Sequence, residues 1–208
     1  MTADRADSEQ ILDAIQRGDV TRLRLLLDES VDPNVVMYGR SLLSWAGLTN
    51  DVDIVKALLE CSASAKPGRA SGSVLDGTPL LTASFTGHLD MVQLLLAHGA
   101  NPNHADEIGQ TPIMAAAKGG HLAVVELLHQ HHAVVDAVDS VGRTALHWTC
   151  VGGDVLDVAR YLVAAGVDPD ARTADGARAL DYASELGRTA LVAFLAESGN
   201  VDQRGPDQ

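Results

Sequence analysis

Eight histidines, two cysteines and a set of regularly placed acids are the residues of this sequence that could carry chemistry. His129, His131 and His132 cluster as His-Gln-His-His. A metal pair needs i, i+4 spacing on a helix or convergent loops with a protected surround, and spacings of two and three supply neither. The end of a helix, where partial positive charge is favourable, explains the cluster better. His88 and His121 each follow a turn glycine, and His147 closes Thr144-Ala145-Leu146-His147. Polar bonding between helices and loops accounts for all three. Asp106 and Asp139 recur as loop starters, which is the behaviour of turn residues rather than of a catalytic pair. No nucleophile elbow, phosphate loop or His-Glu-x-x-His occurs, and Gly152-Gly153-Asp154 reads as a helix turn. No catalytic residue, cofactor or metal is expected.

Charge narrows the choice of partner. The chain has 208 residues, 28 acids against 15 bases and a formal net charge of −13. A nucleic-acid binder needs a basic face, and none is visible. An anionic membrane surface would repel the chain, and no apolar run approaches the roughly 18 residues that span a bilayer. Met1 to Gln10 is polar and acidic, unlike a secretory leader. The expectation is a reduced, cytoplasmic, monomeric protein with neither nucleic-acid nor membrane partners. Arginine outnumbers lysine 12 to 3, which hints at a GC-rich, bacterial source.

The elements that would position side chains emerge from an internal repeat. Gly18, Asn50, Gly87, Gly120, Gly153 and Gly187 mark equivalent places, at separations of 32, 37, 33, 33 and 34. Upstream of them stand helix starts such as Thr78-Pro79-Leu80, Thr111-Pro112-Ile113 and Thr144-Ala145-Leu146. The hydroxyl suits an N-cap and proline suits N1. A small residue follows on the inner side of each unit: Ala14, Ala46, Ala83, Ala116, Thr149, Ala183. Downstream lies a second apolar helix, then a stop such as Gly99-Ala100-Asn101-Pro102. Gly99, Gly166 and Gly199 are placed for a left-handed C′ residue, and Pro33, Pro102 and Pro169 prevent continuation. Each unit reads as helix, tight turn, helix, extended loop. One such pair cannot bury its apolar side, whereas a row of them can.

These residues resemble the ankyrin repeat. Asp106 to His121 and Asp139 to His147 carry its loop, Thr-Pro-Leu and Gly-His features, and the resemblance covers about residues 8–202. It implies an all-α solenoid of stacked helix-turn-helix units joined by extended loops or β-hairpin fingers. The six units are 8–39, 40–75, 76–108, 109–141, 142–175 and 176–202, with frayed ends at 1–7 and 203–208. The first and last are atypical, as end caps should be. Cys61 and Cys150 then lie three steps apart, about 25–30 Å at ordinary helix spacings, and cannot form a disulfide. The resemblance also implies a partner protein held on the concave side. By position, the contact residues are Met37, Tyr38, Leu48, Thr49, Val74, Leu75, Phe85, Thr86, Glu107, Ile108, Lys118, Ser140, Val141 and Val151. The apolar ones form an expected stripe across units two to five, anchored by Tyr38 and Phe85. Trp45 and Trp148 are expected between units.

Two departures stand out. Unit two has a longer, Gly/Ser-rich exit at 62–76, and unit five has one extra residue near Val155-Leu156. The first leaves two functions open. One is a scaffold or adaptor that only binds. The other is a ligand sensor, regulatory subunit or enzyme using 62–76 as a lid.

Overall fold

The computed structural model describes residues 3–28, 35–49, 51–61, 79–153 and 155–199. The expected contact residues Val74 and Leu75, the 62–76 exit, Asn50, Thr78, Pro33 and the 203–208 tail lie outside these residues. The described residues form helices α1 (Ala3–Arg17), α2 (Val20–Asp28), α3 (Leu42–Thr49), α4 (Val52–Glu60), α5 (Pro79–Thr86) and α6 (Leu89–Ala97). They continue with α7 (Pro112–Gly119), α8 (Leu122–Gln130), α9 (Ala145–Gly152), α10 (Leu156–Ala164), α11 (Ala179–Glu185) and α12 (Thr189–Ser198). A hairpin of β1 (Val36–Met37) and β2 (Arg40–Ser41) precedes α3.

The packing is one-dimensional. Each odd-numbered helix touches the next odd one, each even helix the next even one, and each pair packs on itself. The result is an inner layer of odd helices and an outer layer of even ones. The inner helices approach one another more closely than the outer ones. The small inner residues explain this, since Ala14, Ala46, Ala83, Ala116, Thr149 and Ala183 are fully buried. Leu23, Leu58, Leu95, Leu128, Leu162 and Leu195 fill the space between layers. Deleting one such leucine side chain costs about 2–5 kcal/mol. A row that is closer on one side curves toward that side, which leaves the inner layer concave.

Neighbouring units are also joined by a recurring polar bond. His88 Nδ1–H donates to the Gly47 carbonyl (3.2 Å), His121 Nε2–H to Phe85 (3.1 Å) and Arg188 Nε–H to Cys150 (3.1 Å). Each donor follows a turn glycine, and each acceptor is a carbonyl near the end of the preceding inner helix, where no intrahelical donor remains. The glycines at this turn, Gly18, Gly87, Gly120 and Gly187, have φ between 68° and 78°. Gly153 is instead extended, with φ 172° and ψ −162°. The extra residue of unit five is absorbed there, and α10 starts after Val155.

Several expectations need correction. The backbone of residues 3–7 is helical rather than frayed. Gly99 and Gly166 are left-handed, but Gly199 has φ −72° and continues the right-handed turn of α12. The N-cap hydroxyls do not act alike. Ser41 Oγ accepts from Ser44 N–H (3.1 Å) as expected. Thr111 Oγ1 is buried without a hydrogen-bond partner. In unit five the third helical residue reaches back instead: Thr144 N–H donates to His147 Nδ1 (3.2 Å).

His147 carries a pH dependence. Its Nδ1 also lies 3.0 Å from the Thr144 hydroxyl, its Nε2–H donates to Ala177 O (3.4 Å), and Tyr182 packs edge-on. Burial lowers its pKa below the usual 6.5, partly opposed by the Ala177 carbonyl. The folded chain therefore binds fewer protons at this ring than the unfolded chain. Its contribution is fully present above about pH 6.5 and is lost as pH falls below that value, with a slope of at most one proton. Urea unfolding at pH 7.5 and 5.5 should show this loss, and His147→Asn should flatten that part of the profile.

Candidate functional site

The inner face is built from loop tips and the ends of inner helices. Three of the described tips are each held by a side chain that mimics a turn. Asp106 Oδ1 accepts from Ile108 N–H (3.0 Å) and Gln110 N–H (2.8 Å). Asp139 Oδ1 accepts from Val141 N–H (3.0 Å) and Arg143 N–H (2.9 Å). Thr173 Oγ1 accepts from Ala177 N–H (3.1 Å). Successive tips are then tied through the main chain. Ser140 N–H donates to Ile108 O and Ala174 N–H to Val141 O, both at 2.9 Å.

The hairpin tip differs. Val36 pairs with Ser41 and Met37 with Arg40, leaving Tyr38 and Gly39 as a two-residue turn. Both have positive φ, 50° and 78°. Glycine takes that conformation freely, whereas it costs tyrosine about 1–2 kcal/mol. Tyr38 is nevertheless 70% exposed. The turn thus holds a large aromatic side chain out in solvent at a cost in backbone strain.

At the helix ends, an open cleft of about 480 Å³ is lined by Phe85, Thr86, Lys118, Gly119, His121, Val151 and Gly152. Phe85 is 47% exposed. The Lys118 ammonium lies over two rings, 5.4 Å from the Phe85 centroid and 5.1 Å from that of Trp148. The Arg143 guanidinium lies over the same Trp148 ring at 4.1 Å. Asp139, only 5% exposed, fixes this arrangement. Its Oδ2 accepts from Arg143 Nε–H (2.7 Å) and from the Trp148 indole N–H (3.2 Å).

The profile "Ankyrin repeats (3 copies)" matches residues 65–139 and 126–205. The chain belongs to the ankyrin-repeat family. It is 38% identical over 100 residues to Palmitoyltransferase Hip14 of Drosophila melanogaster, covering 48% of this chain and 15% of that protein. It is 37% identical over 100 residues to Palmitoyltransferase ZDHHC13 of Homo sapiens, covering 48% and 16%. E3 ubiquitin-protein ligase hecd-1 of Caenorhabditis elegans is 34% identical over 103 residues, covering 49% and 4%. The matches thus span about half of this chain and a small part of each relative.

The contact residues expected from the ankyrin arrangement divide into groups. Phe85, Thr86, Lys118 and Val151 come together around the cleft. Tyr38, Leu48, Thr49, Glu107, Ser140 and Val141 are exposed on the tips and helix ends, while Ile108 is half-buried. Met37 does not belong to an exposed stripe. It is 8% exposed, and its carbonyl accepts the Trp45 indole N–H (3.1 Å). Hairpin alternation is the reason: with Val36 outward, Met37 must face the stack. Thr49 and Thr86 spend their hydroxyls on their own helix ends, donating to Ala46 O (2.9 Å) and Thr82 O (3.0 Å). Ile108 and Val151 also lean partly on the core.

The sequence reading missed Arg143 and the role of Asp139 beyond its turn. One signal was available. Arg143 stands four residues after Asp139, at the place of Gln110 and Ala177 in the flanking ankyrin units. Arg40 holds the same place before Ser41, and each arginine lies over the tryptophan five residues on, Trp45 at 5.6 Å and Trp148 at 4.1 Å, so the repeated Arg-to-Trp spacing was the readable sign of the stack.

Among the described residues no group of three metal-ligating side chains converges, and no helix is long and apolar enough to cross a membrane. Cys61 and Cys150 are both free thiols.

Proposed function

We propose that this chain is a protein-binding scaffold that holds a partner segment along its concave inner face by recognition alone, acting as a single chain and without catalysing a reaction. Ankyrin repeats suggest a protein-interaction role. The observation that carries the finer reading is the exposed aromatic pair at fixed points of that face. Tyr38 is held out by a strained turn, and Phe85 forms one wall of the open cleft beside Lys118. Stacked helices and hydrogen-bonded tips are preorganised, so little ordering entropy is lost on docking. The acyl transfer and ubiquitin transfer named for the relatives belong to proteins of which this match covers 16% or less.

The test is affinity capture with the intact chain, compared with Tyr38→Asp, Phe85→Asp and an outer-layer control, Gln93→Asp. Gln93 is exposed on α6, away from the inner face. Both inner-face variants should lose partner recovery by about tenfold or more, as expected for aromatic anchors worth at least 1.4 kcal/mol. The control should not. Tyr38→Gly should separate the two roles of that residue. It should unfold at higher temperature, because the positive φ no longer costs energy, while still losing the partner. Equal recovery by all variants would remove the concave assignment.

A further inference from the structure

We propose that the cleft at Lys118 receives the carboxylate of an aspartate or glutamate side chain from the partner segment, with Phe85 and Val151 taking apolar residues on either side. This inference rests on the concave-face reading and adds the chemistry of its occupant. The observation behind it is a local charge opposite in sign to the whole chain. Lys118 and Arg143 both lie over Trp148, at 5.1 and 4.1 Å from the ring centroid. The acid built into the arrangement is Asp139. Both of its oxygens are already occupied, one by two backbone N–H groups and the other by Arg143 and the indole. Two cations against one saturated carboxylate leave a surplus positive charge at a half-exposed lysine, within a chain of net charge −13.

Lys118 has no carboxylate within ion-pair distance among the described residues, and two ring faces hold its ammonium in place. Cation–π contact stabilises an ammonium without using up its N–H donors. The cation is therefore fixed in position and free to donate. A charge-assisted bond from a preorganised donor is stronger than one between neutral groups. A monoanion matches the surplus. A phosphate dianion would exceed it, so the carboxylate is the better fit. Apolar neighbours follow from the flanking walls: Phe85 lies on the α5 side of Lys118 and Val151 on the α9 side.

The experiment pans a random 12-residue peptide library against the intact 208-residue chain. The enriched peptide is then synthesised with its acid retained, changed to the corresponding amide, or replaced by phosphoserine. Each form is titrated against the wild type, Lys118→Met, Phe85→Asp and Tyr38→Asp. The expected motif has one acid flanked by apolar residues. Acid-to-amide replacement should weaken binding to the wild type by about tenfold. On Lys118→Met the acid and amide forms should bind alike. If the acid-to-amide loss is equally large on Lys118→Met, or if phosphoserine binds tighter than the acid, the carboxylate assignment is overturned. Enrichment of neutral peptides that still need Phe85 overturns it too, while leaving the concave-face reading intact. Peptides indifferent to both Phe85→Asp and Tyr38→Asp, or no enrichment at all, overturn both.

Discussion

Gly152→Ala is expected to destabilise the fold by about 3 kcal/mol, against the ordinary trend for a helical glycine. Alanine normally stabilises a helix position by about 1 kcal/mol relative to glycine. Gly152 is the last residue of α9, and a Cβ built on it would fall inside the van der Waals envelope of the Lys118 carbonyl oxygen on α7. The obstacle is backbone, so no rotamer change relieves it. Helices α7 and α9 would have to separate along a fully buried interface that includes Ala116 and Thr149. Overpacking a tight core costs about 1–3 kcal/mol and occasionally more; an obstacle made of backbone puts this site at about 4 kcal/mol, which leaves about 3 kcal/mol after the helix-propensity gain. For a chain of this size, the melting temperature should drop by about 6–12 °C. Gly153→Ala is the internal comparison. Gly153 is extended, and its added Cβ would find nothing closer than Val155 Cγ2 at 3.8 Å. It should be close to neutral. Thermal unfolding of the two variants side by side decides the matter, and equal melting temperatures would disprove the close approach of α7 and α9.

Asp139→Ala should cost about 3–5 kcal/mol, the range for removing one partner of a buried ion pair. The methyl group would leave four donors without their acceptor: two backbone N–H groups, the Trp148 indole and Arg143 Nε. The indole belongs to a residue only 5% exposed, so water replaces the carboxylate poorly. Asp106→Ala provides the scale. Asp106 makes the same two turn bonds in the preceding unit, and among the described residues its side chain has no hydrogen bond to an arginine or an indole. Its loss should cost about 1–3 kcal/mol. Denaturant unfolding of the two variants should therefore differ by about 2 kcal/mol, with altered Trp148 emission in the first alone. If the two costs agree, the Oδ2 contacts add nothing to stability.

Much of the architecture was legible because it is written in residues whose spacing is local. The turn glycines, the buried alanines and the Leu-rich second helices recur in register, and each reports on a few neighbouring residues. What could not be read depended on direction or on distant partners. Met37 and Tyr38 are adjacent and both large, yet only the pairing register of Val36–Met37 with Arg40–Ser41 decides which one faces water. Gly199 looks like Gly99 in sequence, but the chain continues the helical turn there. The Thr-Pro-Leu-His pattern suggested a hydroxyl cap, while in unit five the imidazole three residues on takes the backbone N–H instead. At the site, Phe85 and Lys118 were found by position alone. The cation pair on Trp148 was not, because it joins residues 118, 143 and 148 from two units and one loop.

The ties between loop tips have an evolutionary corollary. Ser140 binds Ile108, and Ala174 binds Val141, through amide and carbonyl groups that every residue except proline possesses. The distance from one fingertip to the next is therefore indifferent to which side chains occupy it. Mutation can rewrite the text displayed at Glu107, Ser140 or Val141 while the line spacing stays constant, so specificity can drift toward new partners without each change first having to be reconciled with folding.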